Sequence, residues 1–91
     1  MTTYDLHPLK DNLISLDKFC SGEKGIIKQL AGSEALLRRL MDLGLIEGES
    51  ITVLHEAPFG KDPIAVKVRG SMLALRRYEA SAVIVLRVEN P

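Results

Sequence analysis

Two histidines and one cysteine are the side chains best suited to metal binding or nucleophilic chemistry. Their spacing assembles neither. His7 lies in a polar N-terminal stretch, His55 in a candidate strand, and Cys20 is close to neither in sequence. Glu56 follows His55, but adjacent residues of a strand point to opposite faces and do not grip one ion. No CxxC, HxxxH or paired-carboxylate motif occurs. Catalysis needs a nucleophile, a base and a pocket that shifts their pKa values, so no enzymatic activity is expected. The ordinary reading makes Cys20 a small core residue and His55 a surface or rim residue. A site gathered from distant residues, or shared between two copies, leaves no trace in spacing. A module that binds or senses Fe²⁺ or Zn²⁺ through Cys20, His55 or an acidic residue is therefore the rival reading.

Glycines offer no phosphate cradle. Gly22 with Gly25 and Gly44 with Gly48 are spaced pairs, yet neither is followed by the Lys-Ser/Thr of a P-loop. Turn formation accounts for all four.

Cations are the better lead. Between Asp62 and Glu79 stand Lys67, Arg69, Arg76 and Arg77 with no acidic residue. Such a patch can meet an acidic protein surface, although outward lysines and arginines also serve simply to deter strand-edge pairing. Arg38 and Arg39 on the helix are weaker candidates, since Glu34 stands four residues before Arg38 in the favourable order for an ion pair.

These residues must be positioned by short elements. Ile64 to Arg77 reads as a β-hairpin, with Gly70-Ser71 as the two-residue turn. Closing the turn there sets Arg69 opposite Met72, Val68 opposite Leu73, Lys67 opposite Ala74 and Val66 opposite Leu75. Ile64, Val66, Val68, Leu73 and Leu75 then share one face, and Lys67, Arg69, Met72 and Arg76 share the other. From Ser33, the leucines at 36, 40 and 43 recur at i, i+4, i+7, with Leu37 and Met41 widening an amphipathic helical stripe. Ser33 is its N-cap, Gly44 its left-handed stop, and Leu45 folds back onto Leu40. Leu13 to Phe19 predicts a brief helical turn with Ser15 as cap and Leu16 and Phe19 facing inward. Gly25–Leu30, the SITVLHEA run from Ser50 and the AVIVLRV run from Ala82 predict further strands, and Tyr78 to Ser81 predicts one helical turn. Residues 1–12 read as a loose arm ahead of a single domain over 13–91.

The 91 residues support one small core, burying roughly 60 to 70% of the unfolded surface. Twelve basic and twelve acidic residues cancel, which removes the excess charge that sequence-independent nucleic-acid binding requires. A nucleic-acid-binding barrel is thus disfavoured. The single cysteine forms no internal disulfide and suits a reducing cytoplasm. No apolar run approaches the roughly 20 residues of a membrane span, so direct membrane insertion is not expected. The expected fold is mainly β: an SH3-like small barrel of about five strands, with one α-helix inserted after the first. With two Tyr, two Phe and no Trp, it lacks the aromatic groove that proline-rich peptides need.

From Leu13 to Val88 the chain resembles the FeoA family of bacterial ferrous iron transport. The segments that carry the resemblance are GEKGII, RRLMDLGL, IEG, ITVLHEAPFG, DPIAVKVRG, MLALRRYEA and AVIVLRV, in that order and spacing. Two loop positions depart: Glu47 stands where the family often has proline, and Lys61 is inserted in a Gly-Asp-Pro loop. The resemblance implies an SH3-like barrel and a non-catalytic, cytoplasmic accessory role toward the FeoB membrane GTPase transporter. It implies no resident cofactor. Related domains end DtxR-type repressors, whose winged-helix DNA-binding part this chain is too short to include. The expected contact residues are Lys67, Arg69, Met72 and Arg76, then Arg38 and Arg39, with self-association as a further option.

Overall fold

A computed structural model describes residues 13–58 and 61–88. The expected arm over 1–12 lies outside the described residues. Among the described residues six strands, all antiparallel to their neighbours, form one sheet. They are β1 (Leu13–Ser15), β2 (Lys24–Leu30), β3 (Ser50–Glu56), β4 (Ile64–Val68), β5 (Ser71–Leu75) and β6 (Val83–Val88), in spatial order β1-β6-β2-β3-β4-β5. Helix α1 (Glu34–Asp42) joins β2 to β3, and the single-turn α2 (Arg77–Ala80) joins β5 to β6. Register shifts in β2 between Ile27 and Gln29, and in β3 between Val53 and His55, bend the sheet around one core. Leu16, Ile27, Leu40, Leu45, Ile51, Val53, Val66, Leu75, Val83 and Val85 are fully buried there.

The mainly β architecture with one principal helix is as expected, but there are six strands and the helix follows the second. Leu13–Ser15 is extended, not helical, because it pairs with β6 through Leu13↔Leu86, Ile14↔Val85 and Ser15↔Ile84. A three-residue strand has no periodicity to read, and it forms only because β6 presents a free side. Ser15 does stand at the N-cap of the turn, which is 3₁₀ over Leu16–Lys18, but makes no side-chain cap bond. Leu16 and Phe19 do face inward, at 0% and 3% exposure.

Helix α1 is bounded by local chemistry. The Ser33 hydroxyl accepts from the Leu36 N–H at 3.2 Å. At the other end Gly44 takes φ +96°, its N–H donates to the Met41 carbonyl at 2.9 Å, and the Leu45 N–H donates to the Leu40 carbonyl at 3.0 Å. This pair of bonds is the Schellman stop. It brings Leu40 and Leu45 together in the core, where each contributes about 1.5–3 kcal/mol of burial. Gly25 serves a different end from the turn glycines. It lies inside β2, where a Cβ would stand 2.4 Å from the Leu86 carbonyl oxygen and 2.5 Å from Val85 Cγ1.

The β4–β5 hairpin keeps its expected faces and shifts its turn. The turn residues are Arg69 and Gly70, at φ +54° and +82°, because a type I′ turn needs both central residues left-handed. Val68 now pairs with Ser71, Lys67 with Met72 and Val66 with Leu73. This slip of two residues preserves which side chains face inward; a slip of one inverts them.

Candidate functional site

The outer face of the sheet carries a row of side chains set by three registers. Lys24 pairs with Thr52, Thr52 with Lys67 and Lys67 with Met72. Lys24 and Lys67 are exposed, Met72 is 68% exposed, and Arg69 stands at the tip of the hairpin just beyond. Lys24 and Lys67 are two strands apart, about 10 Å. Among the described residues, Lys24, Lys67 and Arg69 make no ion pair. Their charges are therefore free to meet carboxylates of another molecule. Sequence reasoning placed Arg69 opposite Met72; the structure places Lys67 there. It also missed Lys24, whose place in the row depends on how β2 pairs with β3.

The remaining arginines are engaged within the chain to different degrees. Arg76 lies past the end of β5, with its guanidinium 4.0 Å from Asp62 Oδ1 and 60% of its side chain exposed. Arg38 stands 3.9 Å from Glu34, both largely exposed, a pair worth little. Arg39 is different. Its Nε donates to Glu79 Oε2, while Glu79 Oε1 accepts from the Arg76 backbone N–H at 2.9 Å. Glu79 is 1% exposed, the one buried charged side chain among the described residues. Burial pushes its carboxyl up, but the Arg39 guanidinium and the Arg76 N–H outweigh burial and hold it below the usual glutamate range. The Arg39 hydrogen bond to Glu79 correspondingly raises the guanidinium. Arg39 neutralises a buried acid while 57% of its side chain stays exposed, so its charge is already shared with Glu79 in a way that those of Lys67 and Arg69 are not.

Arg77 ties four segments together. Its backbone N–H donates to Asp62 Oδ1 at 3.0 Å and its Nε to the Lys61 carbonyl at 2.7 Å. The same guanidinium also donates to the Asp17 carbonyl and to Glu56 Oε2. The internal roles of Glu79 and Arg77 escaped sequence reasoning because their partners lie up to sixty residues away. The one local signal was Glu79 at the third position of a helical turn, where glutamate accepts the N-cap N–H.

Cys20 is exposed and does not join the core as expected. It follows the 3₁₀ turn, with its backbone N–H donating to Glu23 Oε1 at 2.8 Å. His55 is exposed on the outer face. Among the described residues, no three His, Cys, Asp or Glu side chains come together in a way that could hold a metal ion. No helix among them is long and apolar enough to cross a membrane.

Three comparisons bear on this geometry. The family model for the FeoA domain matches residues 14–87. A FeoA-like protein from Clostridium acetobutylicum is 32% identical with a TM-score of 0.77, over 88% of this chain and 93% of that one. The zinc-complexed FeoA of Stenotrophomonas maltophilia, described as a prokaryotic SH3 domain protein, is 27% identical with a TM-score of 0.67, over 82% and 95%. A Porphyromonas gingivalis protein, an Fe(2+) transport protein A/Fe(2+) transporter FeoB fusion, is 27% identical over 70 residues. That match takes in 77% of this chain and only 8% of the fusion protein's length.

Proposed function

The chain belongs to the FeoA family, associated with ferrous iron transport and built on an SH3-like fold, and from that premise we propose that it docks on a FeoB-type membrane GTPase. In this reading it is a non-catalytic accessory protein, acts in the cytoplasm on the transporter's cytoplasmic part, and needs no resident cofactor. The observation that carries the reading is the P. gingivalis fusion, in which a relative of this chain and a FeoB transporter share one polypeptide. Such linkage supplies an effective concentration of order millimolar, so a weak contact suffices there. Without such linkage, docking needs a surface that steers and holds the partner.

The Lys24–Thr52–Lys67–Met72 row with Arg69 supports such a surface. Unpaired cations around an exposed methionine attract an acidic patch and then bury apolar area against it. Lys67, Arg69 and Met72 form the centre of the proposed contact, Arg76 its margin, and Arg38 a separate exposed cation. Arg39 acts indirectly, by holding Glu79.

The test is capture of the transporter's cytoplasmic part by the wild-type chain and by Lys67→Glu/Arg69→Glu. Both residues are exposed, so the unfolding midpoint should hold while affinity falls about tenfold or more. Unchanged affinity removes the patch from the reading. Metal binding is kept as a second reading because the S. maltophilia relative is a zinc complex. Calorimetric titration with Zn²⁺ and Fe²⁺ decides it: saturable binding at micromolar concentration supports the second reading, and its absence eliminates it.

A further inference from the structure

Strand β5 ends the sheet, and among the described residues it pairs with β4 alone. Val68 and Ser71 are the first and fourth residues of the hairpin turn, so the Ser71 N–H bonds to the Val68 carbonyl. Hydrogen-bonded pairs then recur at Val66–Leu73 and Ile64–Leu75. Met72 and Ala74 consequently turn their N–H and C=O groups away from β4, toward the open edge. Native edges are usually guarded by a charge in the strand, a proline, a bulge or extreme shortness. The opposite edge of this sheet, β1, has only three residues. Ser71–Leu75 has five, none charged or proline, in unbroken register with β4.

The core is also incomplete at this edge. Ile64, Val66 and Val68 on β4 are at most 2% exposed, whereas Leu73, on the same inner face, is only half-buried. One further strand would cover it.

We propose that the free edge of β5 receives an extended acidic segment of a partner protein, which adds a seventh strand to the sheet. Charge selects this occupant. Arg69 stands at one end of the edge with Lys67 beside it, one strand in and opposite Met72, and Arg76 stands at the other end, while the strand itself is neutral. A second copy pairing antiparallel about Leu73 brings Arg69 of each chain near Arg76 of the other, which Asp62 holds only loosely at 4.0 Å, and like charges across strands repel. An incoming segment with an apolar residue over Leu73 and acidic residues on either side satisfies the backbone groups, the half-buried leucine and the flanking cations together. The inference deepens the docking reading above and rests on it only for the source of the segment.

The probe is a short capped peptide with a central valine, threonines beside it and a pair of glutamates at each end. Amide exchange on the full chain should show the peptide protecting Met72 and Ala74, while Ser71 and Leu73 are already protected by β4. Replacing the glutamates with lysines should weaken binding about tenfold or more. Ala74→Pro deletes one outward N–H at an edge position where proline is tolerated, and should weaken the peptide similarly with the fold retained. Ala74→Glu, which leaves the backbone intact and repels the acidic segment, serves if the proline variant does not fold. No peptide binding, binding without protection at Met72 and Ala74, or equal affinity for both variants overturns the proposal. So does protection of those amides that grows with protein concentration alone, which would identify a second copy as the occupant. Capture of the transporter's cytoplasmic part is measured alongside. Peptide binding at the edge without transporter capture supports the edge site and sinks the docking reading; transporter capture indifferent to both variants, with the peptide sensitive to them, supports the edge site and removes the transporter as the source of its segment.

Discussion

Around the single-turn α2, Arg39 and Arg77 turn onto Glu79, Glu56 and backbone carbonyls, while at the β4–β5 tip Lys67 and Arg69 turn to water without an ion-pair partner among the described residues. The two corners draw on the same kind of side chain, and Arg77 is only ten residues from Lys67 in sequence. What separates them is burial of the acid. Glu79 lies in the core, and a carboxylate left unpaired there costs several kcal/mol, so its arginine cannot be lent to a partner. Nothing buried depends on Lys67 or Arg69, so their charges can be used elsewhere. A basic residue is thus a docking candidate only once its internal partners are known.

Arg77→Ala should break the inward corner most severely. It frees the Asp17 and Lys61 carbonyls and Glu56 at once, and hydrogen bonds to a charged group contribute about 1.5–3 kcal/mol each without adding fully. A loss of about 3 kcal/mol in urea unfolding is expected; a loss under about 1 kcal/mol would place Arg77 with the outward cations.

Glu79→Gln sharpens the same comparison through pH. Because the folded carboxyl lies below its ordinary value, its contribution is complete above the usual glutamate range of about 4–5 and fades as pH falls through the lower folded value. Unfolding midpoints at neutral and acid pH should show the variant less stable than wild type near neutrality and the gap closing on acidification. A gap that is independent of pH would show that the Arg39–Glu79 charge pair is not its source.

The smallest effect belongs to the outward corner. Arg69 occupies a left-handed position that costs a non-glycine residue about 1–2 kcal/mol, and asparagine tolerates it better. Arg69→Asn should raise unfolding stability by about 1 kcal/mol or less while weakening transporter capture. Improved stability with undiminished capture would show that the tip cation is not used in docking.

Helix α1 was legible because its signals are local: Ser33, the leucine spacing, Gly44 and Leu45 all lie within one bounded stretch of chain. The inward and outward faces of the hairpin were legible too, since alternation with a period of two survives the slip in its turn. The turn residues were misread because glycine is equally at home in either central position, and only the sheet's twist and register select Arg69-Gly70 over Gly70-Ser71. For the site, the sequence showed which cations stand near the hairpin but not which of them were already taken.

On its own, the sequence determined the class of fold, the principal helix and its ends, and which hairpin faces turn inward, because each follows from residues within a few positions of one another. Tertiary structure alone decided that Leu13–Ser15 is a strand, that Lys24 joins Lys67 in one row, that Arg39 and Arg77 are engaged with buried and distant acceptors, and that among the described residues β5 ends the sheet with an unguarded edge. Each of these depends on a partner brought close by the sheet's closure around the core, and distance along the chain carries no record of that pairing.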